Sequence, residues 1–240
     1  AHVAVDLSGG SVVSTIMILR LFEVAGVVLI AVSLPPLARA AGKDPARAVW
    51  LGVCNPLVLF HFIGGGHNDA LMIGLIVAGL AVATVGSRPL VGVLLCMLAA
   101  TMKAPAIIPA GFIILDAVRR APSDRRVALF AKLSGAGALA FGLVSWACDL
   151  GWGWIGALGI PGTNRTLLTP TTFLAHWISE VVGHETEVLN IVRTLSAVAT
   201  VVGVAYLLWR APRIGTVRAC GFALALVVAL GPIVLPWYAL

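Results

Sequence analysis

Charged residues are scarce in this sequence. Only 11% of its 240 residues are Asp, Glu, Lys or Arg, whereas 60% are hydrophobic. A soluble domain carries roughly 25% charged residues. A chain with less than half of that share suits a bilayer, because a lipid core accepts long apolar stretches and penalises ionised side chains. We therefore predict a polytopic, all-α transmembrane bundle. The short alternating strands of a transmembrane β-barrel are also missing.

Several signatures of catalysis and metal binding are absent as well. The sequence has no Gly-x-Ser-x-Gly elbow, no His-Glu-x-x-His zinc helix and no Gly-Lys-Ser/Thr phosphate loop. Its four cysteines are far apart in or beside apolar runs, without metal-ligand or disulfide spacing, so we interpret them as packing residues. They are Cys54, Cys96, Cys148 and Cys220. We predict neither a metal ion nor a resident cofactor.

About eight apolar segments run along the chain. They cover roughly residues 11–34, 48–63, 69–86, 89–102, 104–118, 127–148, 187–209 and 218–238. A full membrane span needs about 20 residues, so the fourth and fifth segments are short. They flank Pro105 and Pro109, which predicts a broken pair of short helices packed against protein or a wet cavity. We expect residues 1–240 to form a single transmembrane domain. Because there is no initiator Met and the end falls inside an apolar run, we expect a piece of a longer protein.

Basic residues collect in alternate loops. They follow the first, third and fifth segments and separate the last two, as Arg39, Lys43, Arg47, Arg88, Arg119, Arg120, Arg125, Arg126, Arg210, Arg213 and Arg218. If the chain threads alternately, all of these loops share one side, which the positive-inside rule makes cytoplasmic. The net charge of +6 therefore needs no nucleic acid partner. We predict a multi-pass protein of the cytoplasmic (inner) membrane, with both ends of this piece on the outer side.

Histidines and acids collect on the side opposite the basic loops. The histidines are His2, His61, His67, His176 and His184. Such groups suit proton transfer, although outer loops that merely avoid Lys and Arg would look the same. The loop 149–186 is predicted to be external. It carries three tryptophans typical of a membrane interface, and residues 171–182 are predicted to form a short interfacial helix.

The stretch "GGGHND" at 64–69 interrupts two apolar runs with polar residues. The glycines permit a sharp turn, and Asn68 or Asp69 can cap a helix that begins near Ala70. Capping does not explain His67. A glycine turn that opens a helix can also hold a phosphate or a sugar hydroxyl, because the free N–H groups and the macrodipole attract anions. We predict that His67, Asn68 and Asp69 line a substrate pocket, with His61 nearby.

Other ionisable groups lie within or between the apolar segments. Arg20 and Glu23 share a helix face at i,i+3 spacing and either pair with each other or line a polar site. Lys103 lies just before the two prolines, where it either contacts a lipid phosphate or snorkels from a helix end.

Four stretches together resemble a known family. They are "NPLVLFHFIGGGHNDALMIGL" at 55–75, "GKDPARAVWLG" at 42–52, "TMKAPAIIP" at 101–109 and the terminal "PWY". The chain resembles the bacterial polyprenol-phosphate-mannose-dependent α-(1→6)-mannosyltransferases, which are multi-span GT-C glycosyltransferases. The resemblance covers most of the chain and is most specific between Asn55 and Leu75.

The resemblance implies a function. The donor would be mannose on a polyprenyl phosphate, and the acceptor a lipid-anchored α-(1→6)-mannan, the backbone of lipomannan and lipoarabinomannan. Transfer would invert the anomer at the outer face of the cytoplasmic membrane. Such a transfer needs a base for the acceptor hydroxyl and cations for the phosphate leaving group.

The residues suggest candidates for both tasks. Asp69 is the candidate acid, although the resemblance implies that the main base lies upstream of Ala1. Lys103, Arg20 and Arg165 are candidate phosphate contacts. Two other classes of function stay open: a transporter or lipid flippase, which also uses broken helices and buried charges, and a non-catalytic membrane assembly subunit.

Overall fold

The computed structural model describes residues 6, 8–65, 69–148, 156 and 169–232. Throughout this part of the chain the regular structure is helical, without strands, which confirms the all-α prediction. The α-helices are α1 (Val12–Ala40), α2 (Pro45–Gly52), α3 (Asp69–Thr84), α4 (Pro89–Ala100), α5 (Ile107–Arg120), α6 (Arg126–Ala147), α7 (Pro170–Val182), α8 (Glu185–Ile214) and α9 (Thr216–Leu230). A π-helical segment covers Val58–Gly64, and 3-10 turns cover Ala104–Ala106 and Ser123–Arg125.

Three helical stretches are long and apolar enough to cross a membrane. They are Val12–Ala40, Ser123–Ala147 and Glu185–Ile214. The helices α3, α4 and α9 are apolar but shorter. The structure thus has the candidate spanning helices and the shorter apolar helices expected of a membrane protein. The number of eight segments and the GT-C arrangement stay predictions.

Two predicted segment boundaries differ from the structure. The first segment was predicted to end near residue 34, but α1 continues through Pro35 and Pro36 to Ala40. The prolines remove two backbone donors, and the helix is retained where Leu37 and Ala38 are buried. The second segment is divided, because the Asn55 side chain accepts a hydrogen bond from the Leu57 N–H at 2.9 Å. This local turn separates α2 from the π-helical segment.

The described residues divide into two compact units at about residue 150. In the first unit, α3 packs between α1 and α4, and α4 also packs against α5 and α6. In the second unit, α8 packs against α7 and α9. That second core is built around Ala175, Leu189 and Val192. The single transmembrane domain and the external position of 149–186 stay predictions. Residues 149–168, except Gly156, lie outside the described residues.

The predicted helix at 171–182 is present as α7, which begins at Pro170. It buries the small or polar residues Thr171, Thr172 and Ala175. Large apolar side chains are exposed instead, among them Phe173, Leu174, Trp177 and Val181. Such a surface suits lipid contact, and the interfacial position of α7 stays a prediction.

The α1–α3 contact in the first unit is a close approach between two backbones. A Cβ atom added to Gly26 would overlap the backbone of Ala70 and Leu71. A Cβ added to Gly74 would lie 2.5 Å from the Gly26 carbonyl oxygen and 3.0 Å from the Leu29 Cβ. Small residues allow helices in membranes to approach in this way. The two glycines therefore fix how α1 lies against the start of α3.

Candidate functional site

Three charged side chains from distant parts of the sequence meet in the first unit. Lys103 Nζ donates a hydrogen bond to Asp69 Oδ1 and forms an ion pair with it. Glu23 Oε2 accepts a hydrogen bond from the backbone N–H of Ala70 at 3.0 Å. Because Asp69 and Ala70 are neighbours in the chain, both contacts converge on the first two residues of α3.

A break between two helices brings Lys103 to this place. Helix α4 ends at Ala100, and the backbone of Lys103 is extended, with φ −147° and ψ 131°. The 3-10 turn that contains Pro105 follows directly, and α5 begins at Ile107. The predicted break around Lys103 is confirmed. Because residue 103 belongs to neither helix, its side chain can extend towards α3.

The two acids are buried, whereas the lysine is partly accessible. The exposed fraction is 2% for Glu23 and 3% for Asp69. The Lys103 side chain is 33% exposed. Both carboxylates lie at the N-terminus of α3, where the positive end of the helix dipole favours negative charge. The ammonium group of Lys103 is thus the member of this cluster that a ligand can reach most easily.

The structure adds a contact at the start of α3 that the sequence did not indicate. The sequence left Asn68 or Asp69 as candidates for capping α3. The Asp69 carboxylate instead pairs with Lys103, and the Ala70 N–H is bonded by Glu23 from α1. Asn68 lies outside the described residues. An acid from another helix therefore satisfies one of the free N–H groups at the start of α3.

The structure separates Arg20 from Glu23. Arg20 is exposed, whereas Glu23 is buried. Although both residues are described, no hydrogen bond or ion pair joins them. The alternative that they form a mutual pair is therefore wrong. The sequence had singled out Glu23 because it is ionisable within an apolar segment, but its contact with α3 was missed.

The remaining predicted site residues have different positions. His61 is half-buried in the π-helical segment Val58–Gly64. Single-turn π-helical segments often occur at functional sites. His67, Asn68 and Arg165 lie outside the described residues. The substrate-binding role of all these residues, and of Arg20, stays a prediction.

Metal coordination has no candidate cluster in the parts of the chain that are described. There, no three or more His, Cys, Asp or Glu side chains are grouped so that they could hold a metal ion. Asp69 and Glu23 supply carboxylates, but their contacts are the Lys103 ammonium group and a backbone N–H. The chemistry available from the described cluster is therefore proton acceptance by a carboxylate and anion binding by an ammonium group.

Comparison with protein families gives two matches that together include most of the chain. The family model described as "Alpha-(1->6)-mannopyranosyltransferase, N-terminal domain" matches residues 1–119. The model described as "MptB C-terminal domain" matches residues 165–240. Glu23, Asp69 and Lys103 all fall within the first match.

Individual relatives agree with the family matches. A probable alpha-(1->6)-mannopyranosyltransferase of Mycolicibacterium smegmatis is 32% identical, over 98% of this chain and 48% of that protein. Alpha-(1->6)-mannopyranosyltransferase A of Mycobacterium tuberculosis is 34% identical, over 96% and 47%. The protein of the same name from Corynebacterium glutamicum is 28% identical, over 96% and 52%. The chain spans about half the length of these curated relatives. No solved structure matches it.

Proposed function

We propose that this chain is part of an inverting membrane mannosyltransferase, because it belongs to the bacterial α-(1→6)-mannopyranosyltransferase family. The donor is mannose linked to a polyprenyl phosphate. The acceptor is a lipid-anchored α-(1→6)-mannan, the backbone of lipomannan and lipoarabinomannan. The reaction takes place at the outer face of the cytoplasmic membrane, and the exposed apolar helices contact the lipid.

The observation that carries this proposal is the pairing of buried Asp69 with partly accessible Lys103 at a helix break. In the transfer, the acceptor hydroxyl oxygen forms a bond to the anomeric carbon of mannose. The bond from that carbon to the phosphate oxygen breaks, and its electron pair leaves with the polyprenyl phosphate. The hydroxyl proton passes to a base. The reaction thus needs a cation beside the phosphate and a carboxylate beside the hydroxyl.

Lys103 supplies the cation in this proposal. An ammonium group binds phosphate oxygens through charge-assisted hydrogen bonds and stabilises the charge that develops on the leaving group. Asp69 either positions Lys103 or accepts the proton. His61, His67, Asn68, Arg20 and Arg165 are the proposed contacts to the sugars and the phosphate.

A transfer assay tests the proposed function. Washed membranes that contain the full-length parent protein are supplied with polyprenyl-phosphate [14C]mannose and a short α-(1→6)-mannoside. We expect a product longer by one α-(1→6)-linked mannose, from the lipid-linked donor and not from GDP-mannose. Asp69→Asn and His67→Ala are expected to lower the transfer rate. Asp116→Asn removes the ion pair with Arg120 on α5. It is the control and should retain the wild-type transfer rate.

Two outcomes would contradict this function. With the donor intact and the acceptor validated by a known enzyme, the absence of any product would exclude this pair of substrates. Movement of the labelled lipid across the membrane without a new glycosidic bond would indicate the transporter or flippase instead.

A further inference from the structure

Glu23 makes a contact that a residue in an apolar helix rarely makes. It lies within α1, is 2% exposed, and binds the Ala70 N–H, 47 residues away in sequence. A buried carboxylate costs free energy unless it is hydrogen-bonded or paired. Its presence in an apolar helix therefore calls for a role, and its only described hydrogen bond is to the start of α3.

The packing leaves this contact little freedom. One turn after Glu23, Gly26 lies directly against the backbone of Ala70 and Leu71. A shift of one residue along α1 would move Glu23 by about 1.5 Å, which is enough to break the hydrogen bond. Glu23 and Gly26 thus hold the same two or three residues of α3 from one face of α1.

The contact also determines where Asp69 lies. Asp69 immediately precedes Ala70, and its carboxylate pairs with Lys103. If the first turn of α3 frays or shifts, the carboxylate moves relative to the ammonium group. The described hydrogen bond of Glu23 is to α3, so a change in its position is passed on to Asp69. Glu23 also lies close enough to Asp69 and Lys103 to act on them through its charge, so the test has to separate position from charge.

We propose that Glu23 is the positioning residue of the candidate site: by capping α3 from α1, it holds Asp69 in the place where it pairs with Lys103. The proposal rests on the proposed mannosyl transfer, in which Lys103 meets the donor phosphate. In this proposal Glu23 acts through another residue, because its described hydrogen bond is to the Ala70 N–H. Displacement of a reacting group by about 1 Å costs about 100-fold in rate.

Two conservative variants separate the effect of the side-chain length at position 23 from the effect of its negative charge. Glu23→Gln keeps the side-chain length and an oxygen that accepts from the Ala70 N–H, but it loses the negative charge. Glu23→Asp keeps the charge, but it is shorter by one methylene group and cannot reach this N–H. Ser33→Ala, at another buried position of α1, is the matched control.

The first measurement is steady-state transfer by the full-length protein in nanodiscs. For Glu23→Gln we expect kcat within about threefold of wild type. For Glu23→Asp and Glu23→Ala we expect kcat lower by about 30–100-fold with KM within about threefold, because the loss is one of geometry in the transition state. If Glu23→Gln is as slow as Glu23→Asp at equal folded amount, charge rather than position matters and the proposal is overturned. It is also overturned if all variants retain kcat and only their yield falls.

The second measurement is hydrogen–deuterium exchange of the first turn of α3, which requires no activity. We expect the amides of residues 70–73 to exchange about tenfold faster in Glu23→Asp than in wild type, Glu23→Gln or Ser33→Ala, since a freed N–H is exposed to local opening. Unchanged exchange in Glu23→Asp would contradict the proposal that Glu23 caps α3. If the wild-type protein transfers no mannose, the proposed function has failed, and exchange still decides whether Glu23 holds α3.

Discussion

Lys103→Met is expected to slow mannosyl transfer strongly and to destabilise the protein more than a substitution of its partner Asp69 does. Removal of Lys103 leaves the Asp69 side chain, which is only 4% exposed, without its counter-ion. Breaking a buried ion pair in this way costs about 3–5 kcal/mol. The transfer rate should fall by about 100–1000-fold, as it does when a donor that stabilises a developing anion is lost.

Asp69→Asn should be less harmful to the fold. It leaves behind Lys103, whose side chain is 33% exposed and can be hydrated. We expect a destabilisation of about 1–2 kcal/mol, the size of a lost charged hydrogen bond. The two single substitutions therefore differ because the two partners differ in burial.

A double-mutant cycle provides the measurement. Thermal unfolding in detergent is compared for wild type, Lys103→Met, Asp69→Leu and the double variant. The double variant should recover most of the stability lost by Lys103→Met, because no unpaired charge stays buried, but it should not recover transfer. Arg120→Met is the control. Arg120 pairs with Asp116 at 3.0 Å, but its side chain is exposed. Ion pairs with an exposed partner contribute about 0–1 kcal/mol to stability. Lys103→Met with wild-type stability and transfer would contradict a functional pair.

Gly26→Ala is expected to prevent α1 from packing against α3. The new methyl group would overlap backbone atoms of Ala70 and Leu71. Backbone cannot change rotamer, so the helices would have to separate, and overpacking of this kind typically costs about 1–3 kcal/mol or more. Separation would also pull Glu23 away from the Ala70 N–H. We therefore expect a lower melting temperature and the loss of most transfer.

Two other glycines serve as controls for Gly26→Ala. Gly111 in α5 has no atom within 4 Å of an added Cβ, and Ala there should be neutral or stabilising by up to about 1 kcal/mol. An added Cβ on Gly203 would meet the end of the Leu226 side chain, which can rotate away, so Gly203→Ala should be mild. Equal melting temperatures for the Gly26 and Gly111 variants would show that the α1–α3 contact is looser than the structure indicates.

Much of the fold follows from local sequence. The scarcity of charge predicts the membrane class, and the apolar runs predict α3 and α4 closely. The break at Lys103 could be predicted because Pro105 follows it. The first segment was predicted too short at Pro35 and Pro36, where a local rule against proline in helices was overridden by burial of the residues after them.

The candidate site was predicted only in part. Asp69 and Lys103 were each singled out from sequence, because ionisable groups in apolar surroundings are usually functional or paired. Their pairing with each other was not predicted. Of the two alternatives for Glu23, the pairing with Arg20 was wrong and the contact with Ala70 was missed. An i,i+3 spacing is visible in a sequence, whereas a contact across 47 residues is not.

The sequence by itself determined that this chain is helical, apolar and related to a mannosyltransferase family, and it located the residues that carry charge among apolar ones. Tertiary structure alone decided that Glu23, Asp69 and Lys103 meet. The physical reason lies in the helices that carry them. A helix that is apolar on every side has no amphipathic pattern to show which face turns inward. In α1 and α3 that choice is made by the backbone contact at Gly26 and Gly74, and the partners of the charged groups follow from it.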